Sequence, residues 1–318
     1  MADELKTTRD GFGQGLLEAA QADASVVGLC ADLTESTRMN LFARNFPQRF
    51  VQLGVAEQNL AGVAAGFALA GKVPFAASYA CFHPANSWGV IRTSICYSNL
   101  NVKIVGGHAG FSTGEDGATH QSLEDIATMR VLPNMTVIVP ADGEEARKAT
   151  LAAAKHIGPV YLRTTKFETG HVTTHETPFD IGKAVYLKPG VDVTLVACGV
   201  MVSRALEAAE ELERKGVSAA VLNMHTIKPL DTKALEFSLQ RSPFIITIDD
   251  LQLAGGLGSA VAEFLSQQPK PSLLSIMGAA DTFGESGKGS EVLDHYGLSV
   301  QNIVLETQKL LSKIETPR

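Results

Sequence analysis

Residues 53–82 read LGVAEQNLAGVAAGFALAGKVPFAASYACF. In the first part the apolar positions Leu60, Val63, Ala64, Phe67 and Ala68 recur at helical spacing, and Gly71 followed by Pro74 supplies a stop. The remainder, VPFAASYACF over 73–82, is a short unbroken apolar run and reads as a buried strand. A helix leading into a strand buried on both faces is the repeating unit of a parallel α/β sheet.

The pattern continues on both sides. VVGLC (26–30), VKIVGG (102–107), TVIVP (136–140) and PVYLRT (159–164) read as further buried strands, with EEARKATLAAAKHI (144–157) as a helix between the last two. The stretch ETGHVTTHETPFD (168–180) is polar and has no period. It divides the chain into a first domain over 1–170, a linker over 171–180 and a second domain over 181–318. In the second domain the alternation resumes: strands at 193–199, 219–224 and 244–249, helices at 203–216 and 257–268. The fold class is therefore α/β, with two mostly parallel-sheet domains, the second one smaller.

The totals narrow the function. The chain has 318 residues, 45% of them hydrophobic and 19% charged, and a formal net charge of −7. That balance argues against nucleic acid or an anionic membrane as partner, but not against small anions held by a few local arginines. No apolar run approaches the roughly 20 residues of a membrane helix. The start, MADELKTTRD, has no apolar signal region. Cys30, Cys81, Cys96 and Cys198 form no Cys-x-x-Cys pair and suit a reducing compartment, so a cytoplasmic location is expected. No His/Cys metal spacing occurs.

Several residues could carry chemistry. Glu57 opens the first helix, where the helix dipole alone would favour a carboxylate. Gly62 and Gly66, four apart, cost that helix about 1 kcal/mol each and suggest close approach by another backbone. The loop GGHAGFSTGEDGATHQSLEDIA (106–127) follows a strand, so it lies at the carboxyl edge of a parallel sheet, where ligands bind. It gathers His108, Glu115, Asp116, His120 and Gln121 among glycines, and is readable as a polar surface loop or as a site. Ser122 with Asp125 resembles a weak capping box. Arg163 at a strand end and Arg9 before the first long helix are either surface arginines or, with Ser36, a phosphate clamp. GGLG at 255–258 opens a helix but lacks the Gly-Lys-Ser/Thr of a phosphate loop.

Along nearly its whole length the chain resembles the transketolase family. GVAEQNLAGVAAGFALAG is similar to that family's pyrimidine-domain helix, GHAGFSTGEDGATHQSLEDIA to its substrate-channel loop, and MHTIKPLD with GGLGSAV to its C-terminal domain. The resemblance implies thiamine diphosphate as cofactor, with Glu57 hydrogen-bonding a ring nitrogen of the aminopyrimidine and sharing a proton with it. It implies Tyr79 and Phe82 packed on the pyrimidine and Asp32 as an acid near the glutamate. His108 and His120 would contact the sugar's hydroxyls and phosphate, and Asp116 would read a sugar hydroxyl. Arg9, Ser36 and Arg163 would form the phosphate-binding set. Glu57, His108 and His120 are thus the expected catalytic residues of a two-carbon ketol transfer from a ketose phosphate to an aldose.

No Gly-Asp-Gly segment, which in the family holds Mg2+ and the diphosphate, occurs anywhere in the chain. The resemblance therefore implies a split enzyme: Mg2+ is held mainly by an N-terminal diphosphate-binding partner subunit, in an α2β2 heterotetramer. Two departures stand out. Asn86-Ser87-Trp88-Gly89-Val90-Ile91-Arg92 replaces the family's Arg-x-Trp/Phe-Asp-Gln-Ile-Arg run, and Leu251 stands where a histidine is frequent. Rival readings are a deoxyxylulose-phosphate synthase-like chain, whose loop usually reads GADG-x-TH, and a 2-oxoacid dehydrogenase β-like chain, which lacks the GEDG-x-THQ loop. A third is a non-catalytic assembly or regulatory paralogue.

Overall fold

The computed structural model describes residues 6–313, so the first five residues of the expected leaderless start lie outside the described residues. Among the described residues twelve strands form two sheets. Those of the first half are β1 (Val26–Cys30), β2 (Phe50–Gln52), β3 (Val73–Tyr79), β4 (Lys103–Gly107), β5 (Thr136–Ile138) and β6 (Val160–Arg163). Those of the second half are β7 (Val185–Lys188), β8 (Val193–Ala197), β9 (Ala219–Asn223), β10 (Thr226–Lys228), β11 (Phe244–Gln252) and β12 (Leu273–Ala279).

The larger sheet runs β10-β5-β6-β4-β3-β1-β2 and is parallel except for β10. Successive residues of its strands enter different cores, as a sheet covered on both faces requires. Val27 and Leu29 of β1 and Ala76 of β3 meet Leu60, Ala61 and Ala64 of the helix Glu57–Leu69. Val26, Cys30, Phe75 and Ala77 meet Phe12 and Leu16 of the helix Thr8–Ala22 and Ala149 of the helix Gly143–Lys155. The smaller sheet runs β12-β11-β8-β9-β7, parallel except for the edge strand β7.

The division into halves is not clean. β10 leaves the second half and pairs antiparallel with β5, extending the first sheet, and one hydrophobic cluster joins Val137 and Val139 to Val196, Leu222 and Met224. One local expectation fails. The helix after the loop begins at Asp125, and Ser122 makes no cap: Asp125 instead accepts from the Tyr161 hydroxyl at 2.6 Å and from Arg163 Nε at 3.1 Å. The capping box that does form is Thr7 with Asp10, at the start of the first helix. The GGLG helix is not an anion site, because the buried Asp249 carboxylate already accepts from Leu257 N at 2.8 Å.

Candidate active site

β2, β1, β3, β4 and β6 follow one another across the sheet apart from its far edge, so their carboxyl ends open along one line. Glu57 follows β2, Asp32 follows β1, Tyr79 ends β3, His108 follows β4, and Lys166 lies three residues beyond the end of β6. This is the edge at which α/β sheets bind ligands.

Glu57 is the first residue of its helix, whose N-cap, Ala56, offers no side chain to the open N–H groups. The glutamate is 8% exposed, and its carboxylate takes no hydrogen bond from the described residues. It opens on a cavity of about 590 Å³ lined also by Ala56, Gln58, Asn59 and Asn86. Its oxygens keep contact with the cavity, so a ligand that displaced water from them would have to offer a hydrogen bond in its place. Gly62 and Gly66 lie on the outer face of the same helix, where an added Cβ would meet nothing.

Beyond Glu57 lies an aromatic and imidazole shelf. Tyr79 stacks on His108 with ring centres 3.9 Å apart and on Phe82 at 6.0 Å, while His120 stands edge-on to Phe82 at 5.4 Å. Cys81, in the turn of this shelf, has its thiol pushed up to about 12, first by burial and then by the charges of Glu124, Glu57 and Asp116. The field of Glu57 thus reaches the shelf. Burial, reinforced by Arg9 and Lys166, pushes His108 down to about 3, so its imidazole is neutral near pH 7. Its buried Nδ1 has no partner among the described residues. Asp32 sits in a left-handed backbone conformation (φ 60) with its side chain exposed, and no hydrogen bond links it to Glu57.

Near His108 lies a second cleft, of mixed charge, in which Asp10, Glu18, Glu144 and Glu168 face the cations. Arg9, Arg38 and Lys166 line a cavity of about 900 Å³. Arg9 Nη1 donates to the Ser36 carbonyl at 3.1 Å, so these two expected phosphate residues are neighbours, though through the backbone of Ser36 rather than its hydroxyl. Burial, then Arg38, lowers the pKa of Arg9, while Asp10, which pairs with Arg38 at 2.6 Å, acts the other way. Lys166 holds Asp116 at 2.7 Å.

Arg163 is not in this cleft, which corrects its assignment to the phosphate set. Only 4% exposed, its guanidinium donates to Asp125 at 3.1 Å and to Asp250 at 2.7 Å, two carboxylates that are themselves buried. All four residues of β6 face inward. The cation beyond the strand's end is Lys166, which reading the sequence missed, as it missed Arg38. The signal available was that a strand buried throughout releases its chain into the cleft only after its last residue.

The departures are absorbed locally. Leu251 is buried in apolar surroundings. Trp88 Nε1 donates to the Thr128 carbonyl at 2.9 Å, and Ser87 bonds the buried His83 at 2.7 Å. Among the described residues no group of three or more His, Cys, Asp or Glu is placed to hold a metal ion, and no helix is long and apolar enough to cross a membrane.

Known proteins share this architecture. Residues 4–170 match the transketolase pyrimidine binding domain and residues 182–303 the transketolase C-terminal domain. A transketolase C-terminal section of Methanocaldococcus jannaschii is 42% identical over 97% of both chains. A 6-deoxy-6-sulfo-D-fructose transketolase subunit of a Clostridium species is 40% identical over 93% of this chain and 92% of its own. A solved structure described as a split gene transketolase, inactive beta4 tetramer, is 44% identical, covers 96% of this chain and 98% of its own, and superposes with a TM-score of 0.90. With both domains matched in order and relatives aligned end to end, the chain belongs to the transketolase family.

Proposed function

We propose that this chain is the pyrimidine-binding subunit of a two-polypeptide, thiamine-diphosphate-dependent transketolase that moves a two-carbon ketol unit from a ketose phosphate to an aldose. The observation that carries this reading is Glu57: a glutamate only 8% exposed at a helix start, its carboxylate facing a cavity without a donor in its own chain, near an aromatic shelf. The Glu57 carboxyl would donate its proton to a ring nitrogen of an aminopyrimidine, which is an acceptor, and Tyr79 with Phe82 would pack on the ring's flat face. When bound, the cofactor supplies the nucleophilic carbon and the electron sink. Glu57 holds the proton shared with the ring nitrogen and exchanges it in each cycle.

The remaining residues serve the sugar. Neutral His108 can donate to or accept from a hydroxyl without bringing charge to the reacting centre, and His120 stands beside it on the shelf. Asp116, fixed by Lys166, reads a second hydroxyl. Arg9, Arg38 and Lys166 hold the terminal anion, with Ser36 fixing Arg9. A sulfonate is the second reading for that anion, favoured by the Clostridium relative named for a sulfosugar.

The absence of Gly-Asp-Gly and the open face of the Glu57 helix support a second polypeptide that brings Mg2+ and the diphosphate site. So does the relative described as an inactive tetramer of β chains. An α2β2 assembly working in the cytoplasm fits the four unpaired cysteines. In the assembled enzyme, Glu57→Gln should lower kcat by at least about 100-fold, within the range a positioned acid–base contributes, with the assembly intact. Unchanged turnover would return Glu57 to the role of a helix-start residue.

A further inference from the structure

The side chains lining both cavities all come from residues before 176. The loop that carries His108, Asp116 and His120 nevertheless rests on the second half of the chain. Gln121, 3% exposed, donates from Nε2 to the Gly114 carbonyl at 3.2 Å and to the Glu285 carbonyl at 3.0 Å. Gln252 N donates to the Leu123 carbonyl at 2.9 Å. Phe111 stacks on Tyr296 with ring centres 4.3 Å apart and planes 5° from parallel.

The two segments fit closely enough to require glycine on both sides. A Cβ at Gly284 would collide with Gln121 Oε1, and one at Gly117 would collide with Ser286 Oγ. At Gly114, where φ is +72°, a Cβ would lie 2.9 Å from Gly289 N and 3.0 Å from the Gly287 carbonyl. A packed surface of this kind admits one loop position rather than a range, because close-packed interiors yield little.

We propose that residues 284–289 are the template that sets the position of the substrate loop, with Gln121 as the positioning residue that reads it. The second half of the chain then acts on the substrate through the loop, without lining the cleft. This rests on the reading of the cleft given above.

Gly284→Ala and, separately, Gln121→Ala test it in the full chain. The first adds bulk against the Gln121 amide, and the second removes the amide without adding bulk, so that one variant still reports if the other fails to fold. Amide hydrogens of residues 111–121 should exchange at least about ten-fold faster in both, with β1, β3 and β4 unchanged, as expected when a local unit loosens. Assembled with the diphosphate-binding partner and assayed with xylulose 5-phosphate as donor, KM should rise about ten-fold, with kcat and thermal midpoint changing less. A small displacement of a binding group is enough for that. Unchanged exchange in 111–121, acceleration spread evenly over both sheets, or faster exchange with an unchanged KM would each overturn the proposal. If the wild-type assembly transfers no ketol unit, the functional reading fails, and the exchange measurement still decides whether residues 284–289 hold the loop.

Discussion

Arg163→Ala should unfold the protein more readily rather than weaken its grip on a phosphate. The guanidinium is 4% exposed and its two carboxylate partners, Asp125 and Asp250, are 0% and 1% exposed. Removing it leaves both acids, and the Tyr161 hydroxyl bonded to Asp125, without their cation. Breaking a buried ion pair from one side costs about 3–5 kcal/mol. The alternative, taking up a proton, gives a similar figure: raising a carboxyl from its ordinary 3.8 to neutrality at pH 7 costs about 4 kcal/mol. For domains of this size that corresponds to a midpoint lower by about 10 °C. The loss should shrink as the solution is acidified from pH 7.5 to 5.5. Burial already raises the Asp250 carboxyl and Arg163 opposes that rise, so in the variant the stability Asp250 contributes is present at low pH and drains as pH rises. Urea titrations at both pH values measure this. A loss under about 1 kcal/mol, with KM raised for phosphorylated sugars alone, would put the guanidinium in the cleft and refute the assignment.

Lys166→Met should raise KM for a phosphorylated donor roughly ten- to 100-fold, the worth of a charge-assisted bond, and raise it for an unphosphorylated donor by clearly less, the part that comes from releasing Asp116. Steady-state kinetics on the paired sugars checks it, and equal losses on both would remove Lys166 from the anion site. His83 is fully buried, and burial pushes it down to about 3. Its neutral form therefore contributes stability above the ordinary 6.5, and that contribution is lost as pH falls toward 3. His83→Gln should flatten the fall of unfolding free energy between pH 6 and 4 by about 1.4 kcal/mol per pH unit; an unchanged slope would mean that His83 is protonated within the fold.

Long, strongly periodic elements were legible in the sequence. The helix Glu57–Leu69 and the strands around it follow from apolar spacing and a Gly/Pro stop. β7 and β10 were not, because four and three residues on antiparallel edges carry no usable period. Within the site, Tyr79, Phe82, His108 and His120 were named from motifs, and the fold brings their rings together. The error at Arg163 has a physical cause. A cation at a strand end and a cation three residues later look alike in sequence. Which one is buried depends on Asp125 and Asp250, the second of which lies far along the chain. The Ser122–Asp125 cap failed for the same reason, since tertiary partners claimed the aspartate first.

Two-carbon transfer measured with this chain alone, its diphosphate-binding partner alone, and the two together tests the central claim most directly. Transfer from a ketose phosphate to an aldose should appear only in the mixture, with thiamine diphosphate and Mg2+ present. Transfer by this chain alone, or none from a mixture shown to assemble and bind the cofactor, would contradict the account.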